Sequence, residues 1–237
     1  MPNTYFKFKQ FTISQTHAAM KVGTDGVLLG AWADVADVNR ILDIGTGTGV
    51  IALMLAQRNS NAIIDAVEID TPSAKQAEMN AVKSPWGNRI TIANKSFQDF
   101  VSETDNRYDL IVSNPPYFEQ SLKSPFEHKN LARHNDTLPY DELLGGISKL
   151  LTEKGKFCGV FPYTEGNVFI AKASGYGLYC TKRLNIQSKP NRNTLRMLIQ
   201  LEFEKKPIEE STLCTRDSEG NYTDEYKQLT ADFYLAF

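Results

Sequence analysis

Three observations predict a doubly wound α/β fold. An apolar run, Arg40-Ile41-Leu42-Asp43-Ile44, enters the alternating glycines Gly45, Gly47 and Gly49, and a helical pattern follows through Ile51, Leu53, Met54 and Leu55. Further short β-branched runs alternate with helical stretches along the chain. One of them, Leu110-Ile111-Val112-Ser113, stops abruptly at Asn114-Pro115-Pro116-Tyr117. Strand, Gly turn and helix form the opening βα unit of a sheet that binds ligands at the carboxyl ends of its strands. The expectation is a mostly parallel seven-stranded sheet with an antiparallel last strand and helices on both faces.

With 237 residues the chain suits a single domain. Residues 1–35 read as an extension and first helix, 36–205 as the core, and 206–237 as a tail packed on it. The hydrophobic share of 41% and charged share of 23% are those of an ordinary soluble protein. A net charge of −2 gives no bulk sign of a nucleic-acid partner. Cys158, Cys180 and Cys214 are scattered and odd in number, which argues against a disulfide frame or a zinc site and for a reducing, cytoplasmic setting. Met1 to Tyr5 lacks a signal-peptide pattern, and no apolar run approaches a membrane span.

Phe6 to Ile13 alternates aromatic and polar residues and predicts an exposed strand or hairpin. Gly23-Thr24-Asp25-Gly26 is a turn in which Thr24 or Asp25 could cap a helix from Val27 to Trp32. Ala62 to Asp70 is the second core strand, ending in acids. Thr71-Pro72 starts a helix that Pro85, Trp86 and Gly87 break. Ile90 to Ala93 is the third strand and Arg107 to Ser113 the fourth. Tyr140 to Leu151 is an amphipathic helix, Gly155 to Phe161 the fifth strand, and Val168 to Ser174 another helix. Tyr179 to Ile186 and Arg196 to Phe203 pair as the last two strands. The tail ends in a helix with Tyr226, Leu229 and Phe233 on one side.

The glycine spacing is G-x-G-x-G, with Asp43 just before it. A carboxylate there repels a pyrophosphate and attracts an ammonium. This favours S-adenosylmethionine over a nicotinamide dinucleotide. Glu68 lies about 20 residues past the loop, the separation expected for a carboxylate on ribose hydroxyls. Asp99 follows the third strand; it suits an adenine amino group and equally a helix cap. Pro115 and Pro116 end strand pairing, and Asn114 is pushed toward the extended region. The Asn114 side-chain oxygen and the Pro115 carbonyl could hold both N–H groups of an exocyclic amine, and the Tyr117 ring could stack on its base. A plain strand-ending turn reads the same on these four residues alone; the Gly loop, carried to the same sheet edge at the switch point, favours chemistry.

Phe118 to Leu138 is long and polar, either a solvated loop or a lid with Lys129, Arg133 and His134 on phosphates. Basic residues gather between Lys182 and Lys206, including Lys189, Arg192 and Arg196, and acids dominate the tail.

With these residues in view, the chain resembles the class I S-adenosylmethionine-dependent methyltransferases with an Asn-Pro-Pro-Tyr motif, whose fold is Rossmann-like. More narrowly it resembles the bacterial tRNA1(Val) adenine-N(6)-methyltransferases. Phe8 to Phe11, Ala19 to Trp32, Leu42 to Gly45, Ser113 to Tyr117, Gly220 to Thr223 and Phe233 to Leu235 carry that closer likeness. The resemblance implies methylation of adenine 37, next to the anticodon of valine tRNA, by a cytoplasmic monomer without a metal. It implies cofactor contacts from Thr24, Asp25, Asp43, Gly45, Thr46, Gly47, Gly49, Glu68, Ile69, Asp99 and Asn114. Asn114, Pro115, Pro116 and Tyr117 are then the catalytic set, and Lys129, Arg133, His134, Lys189, Arg192 and Arg196 the RNA contacts. One alternative is a glutamine N(5)-methyltransferase acting on a release factor, though only about forty residues precede the first core strand and such enzymes carry a larger N-terminal domain. Another is a different RNA adenine-amine methyltransferase, and a third a non-catalytic RNA-binding module.

Overall fold

A computed structural model describes residues 3–18, 20–115 and 138–237. Pro116, Tyr117 and the lid candidates Lys129, Arg133 and His134 lie outside the described residues. A hairpin of β1 (Tyr5–Lys7) and β2 (Thr12–Ser14) precedes α1 (Thr24–Trp32). The core follows as β3 (Arg40–Ile44), α2 (Val50–Arg58), β4 (Ile63–Glu68), α3 (Thr71–Lys83), β5 (Ile90–Asn94), α4 (Phe97–Glu103) and β6 (Tyr108–Ser113). Its second half is α5 (Tyr140–Leu150), β7 (Leu151–Pro162), α6 (Tyr163–Ala173), β8 (Tyr179–Gln187) and β9 (Arg196–Glu202). The tail adds β10 (Glu209–Cys214) and α7 (Asp224–Thr230).

The main sheet has the order β10-β8-β9-β7-β6-β3-β4-β5. Its strands are parallel except β9, which runs antiparallel to both β7 and β8. The doubly wound architecture and the antiparallel seventh core strand match expectation. The sheet carries one more strand than the seven expected: β10 pairs parallel to β8 along its full length.

Alternation explains why the strands read as continuous apolar runs. Leu110 and Val112 of β6 face a core layer containing α1, α2, the hairpin and α7. Tyr108 and Ile111 face the other layer, with α4, α5 and α6.

The hairpin is not an exposed appendage. Phe8, Phe11 and Ile13 are buried, because the turn folds the two phenylalanines inward, where their rings stack at 4.6 Å. Lys9 fastens the hairpin to the tail: its N–H donates to Phe233 O (2.9 Å), and its Nζ donates to Ala231 O and Phe237 O (both 2.6 Å).

Asn80 of α3, almost fully buried, fastens the same hairpin to the Gly loop. Its Nδ2 donates to Ser14 O and Thr48 O (both 2.9 Å), and its Oδ1 accepts from Ser14 N (2.9 Å). Asn80→Ala leaves these backbone groups unpaired at a buried seam. We expect a loss of about 3 kcal/mol, read by chemical denaturation.

Candidate active site

The two loops expected to face each other do so. β3 and β6 are paired neighbours, with Ile44 opposite Ser113. Ser113 Oγ donates to Ile44 O at 2.9 Å and locks the two strand ends together. Gly45 and Asn114 therefore leave adjacent strand ends, about 4.8 Å apart across the sheet. Asn114 is half-buried and Pro115 buried. Helix α1 closes over them: a Cβ on Gly26 would lie 3.9 Å from Asn114 Nδ2.

The Gly loop is pinned at its start, where Gly45 N and Thr46 N both donate to Val67 O (2.9 and 3.1 Å). Gly45 and Gly47 take φ values of +70° and +58°, the left-handed region that favours glycine. A Cβ at either would meet nothing within 4 Å, so both border open space where a ligand can approach the backbone. Gly49 is different. Its Cβ would meet Ala77 Cβ of α3 at 3.4 Å, which makes it a packing position between loop and helix rather than part of the open cradle.

Asp43 is buried, and Thr46 Oγ1 donates to its Oδ2 at 2.6 Å. Its Oδ1 accepts no hydrogen bond of normal geometry. Burial pushes the carboxyl up to about 7; the Thr46 hydroxyl and the nearby Ala52 N–H pull it back, and Glu68 adds like charge. Among the described residues no cation pairs with it, and a buried carboxylate calls for one. Glu68, at the end of β4, accepts Gly47 N on Oε2 (2.8 Å) and Asp70 N on Oε1 (2.9 Å). A carboxylate has about four lone-pair positions, so acceptor capacity remains for hydroxyls.

The other expected positions divide. Ile69 is exposed beyond Glu68 at the same edge. Asp99 is exposed in the first turn of α4, where Ser96 Oγ accepts its N–H (3.0 Å) and donates to its Oδ2 (2.6 Å), so its carboxylate serves as part of the helix cap. Neither Thr24 nor Asp25 caps α1; Gly23 is the N-cap, without a side-chain bond. Asp25 instead accepts from Arg196 Nε at 3.0 Å across the start of β9. Lys189 and Arg192 sit in the β8–β9 connection on this same edge. Asn94, which sequence reasoning missed, donates to Glu68 O (2.9 Å) and Ile69 O (3.2 Å), and accepts from Thr71 Oγ1 (2.8 Å). It braces the end of β4 from its neighbour strand.

A Gly loop bordered by carboxylates, facing an Asn-Pro platform across a doubly wound sheet, defines a Rossmann-like methyltransferase. The fold is shared with a "predicted O-methyltransferase" from Agrobacterium tumefaciens (TM-score 0.69, 18% identity, 88% of this chain and 96% of that one). A ribosomal protein L11 methylase from Lactobacillus delbrueckii aligns with a TM-score of 0.57 at 16% identity, over 81% and 84% of the two chains. The family model "Methyltransferase small domain" matches residues 17–137. Relatives named tRNA1(Val) (adenine(37)-N6)-methyltransferase span the whole chain. The Bacteroides fragilis protein is 49% identical over 236 residues, 99% of each chain. That of Trichodesmium erythraeum is 46% identical over 239 residues, 100% of each. The chain belongs to the tRNA1(Val) (adenine(37)-N6)-methyltransferase family. It is a methyltransferase that uses S-adenosylmethionine.

The residues present fit that cofactor. The buried Asp43 carboxylate, with one oxygen lacking a partner, suits an ammonium. Gly45 and Gly47 leave room at the backbone, and Glu68 keeps acceptor capacity for ribose hydroxyls.

Proposed function

We propose that the protein methylates the exocyclic amine of adenine 37 in tRNA1(Val). The observation that carries this reading is the pairing of β3 with β6, which sets the Gly loop beside Asn114. When bound, S-adenosylmethionine supplies an electrophilic methyl on a sulfonium. Asn114 Oδ1 and the Pro115 carbonyl accept the two N–H groups of the amine. That draws the nitrogen toward sp3 and directs its lone pair at the methyl carbon. With the donor bound, forming the N–C bond would break its S–C bond, and the nitrogen would shed one proton to water. Tyr117 stacks on the base. Asp43 and Glu68 hold the cofactor, and Asp99 borders its adenine. The target base must be flipped, at a cost of a few kcal/mol that is least in an unpaired loop.

Lys189, Arg192 and Arg196 lie along the same edge and suit the RNA backbone, as Lys129, Arg133 and His134 do in the sequence after Tyr117. The reading takes the protein as a metal-free monomer acting in the cytoplasm on valine tRNA. Among the described residues no helix is long and apolar enough to cross a membrane. Mass spectrometry of tRNA nucleosides, from cells with and without the protein, tests the proposal. Loss of N6-methyladenosine at position 37 of valine tRNA is the expected result. An unchanged level overturns it. Labelled cofactor incubated with tRNA or with a release factor separates the glutamine alternative.

A further inference from the structure

The carboxyl edge continues beyond Asn114. Past β6, the sheet order brings up the end of β7, the start of β9, the end of β8 and the end of β10 in succession. At about 4.8 Å per strand this edge runs about 19 Å. Two cavities open along it, of ≈ 250 and ≈ 630 Å³. Gln187 and Leu195 line both, so the two cavities adjoin and are taken together as one groove. Its near end is lined by Thr24 and Arg196, on the α1 side that covers Asn114. Its far end is lined by Tyr163, Glu165 and Arg192.

The groove presents apolar faces beside Arg192, with the Asp25–Arg196 ion pair at its near end. Tyr163, the first residue of α6, is 40% exposed, and Leu195, just before β9, is 53% exposed, so two large apolar side chains face solvent side by side. Tyr163 N donates to Leu195 O at 3.2 Å, which fixes the two residues beside each other where α6 meets β9. Arg192 is exposed in a tight turn closed by its own N–H on Lys189 O (3.3 Å), with Asn191 at φ 62°.

We propose that this groove carries the single-stranded nucleotides next to the target adenine, with one base stacked on Tyr163 and Leu195 and a phosphate on Arg192. The proposal rests on the RNA-methylating reading above and adds the path of the strand. An exposed ring beside a basic side chain is the pattern that grips unpaired RNA, because every base has a stacking face. Glu165 opposes a phosphate in its own part of the groove. A carboxylate there suits a base amino group instead, so the strand turns its base edge toward Glu165 and its backbone toward Arg192.

Steady-state kinetics with purified tRNA test the groove. Tyr163→Ala is expected to raise KM for tRNA about ten-fold, with kcat within two-fold, and Tyr163→Phe to restore it. Arg192→Ala is expected to lower the salt slope of tRNA binding by about one. Calorimetry with S-adenosylmethionine should give wild-type affinity for both variants, which reports an intact core. An unchanged KM in Tyr163→Ala, or a loss that Phe does not restore, overturns the groove. If Tyr163→Ala does not fold, Arg192→Ala decides: an unchanged salt slope overturns it. A wild-type protein that leaves tRNA unmethylated overturns the parent reading and the groove with it.

Discussion

Asn114→Ala is expected to lower methyl transfer by about 100- to 1000-fold, the range seen when one preorganised polar contact to the reacting group is removed. Affinity for S-adenosylmethionine should stay within about two-fold. The separation follows from position. Asn114 stands after β6, while the Gly loop and Glu68 belong to the ends of β3 and β4. Asn114→Asp, which keeps an acceptor oxygen, is expected to retain far more activity than the Ala variant. Single-turnover transfer to tRNA, with calorimetry of cofactor binding, checks both. An Ala variant within ten-fold of wild type would remove Asn114 from the chemistry.

Asp43→Asn is expected to weaken cofactor binding by at least about 100-fold, since truncating one partner of a buried ion pair costs 3–5 kcal/mol. The ligand-free variant should nevertheless be more stable than wild type above pH 7. The folded protein holds the Asp43 proton up to about 7, against an ordinary value of 3.8. Between those values the native state binds more protons than the unfolded chain, so stability falls as pH rises. Above pH 7 the wild type carries the full cost of a buried charge, a few kcal/mol that Asn does not incur. Thermal unfolding from pH 4 to pH 8 should show two curves that meet at the acid end and separate toward neutrality. For the wild type, cofactor binding should tighten over the same interval, because the ammonium takes the ionised form. Parallel unfolding curves would mean that Asp43 is ionised throughout.

Much of this was legible in the sequence, because the signals were local. Glycine spacing, the acid before it and the prolines after β6 each impose a backbone or charge constraint within a few residues. The start of α3 was equally readable from Thr71 and Pro72, and Asp70 caps it by accepting Ser73 N at 2.9 Å. Strand β10 was not: Glu209 to Thr212 are exposed, and only Leu213 is buried, so no apolar alternation marks it. Period two says which residues share a face, not what covers that face, so it alone places the hairpin at the surface. Asp25 looked like a cap, whereas its partner Arg196 is 171 residues away. Asn80 gave no signal, for its three bonds are all to backbone brought near by folding. Asp99 reads two ways because one carboxylate can bond Ser96 at the helix start and still border a ligand at the same strand end.

The fastening of hairpin to tail through Lys9 has a consequence for biosynthesis. On a translating ribosome, the segment after Glu202 emerges later than β3 to β9. Until it does, Lys9 lacks the carbonyls of Ala231 and Phe233, and Phe8 lacks the ring of Tyr234. Asn80 then grips a hairpin that has no outer cover. A nascent chain is thus expected to assemble most of its sheet before its hairpin is locked in place.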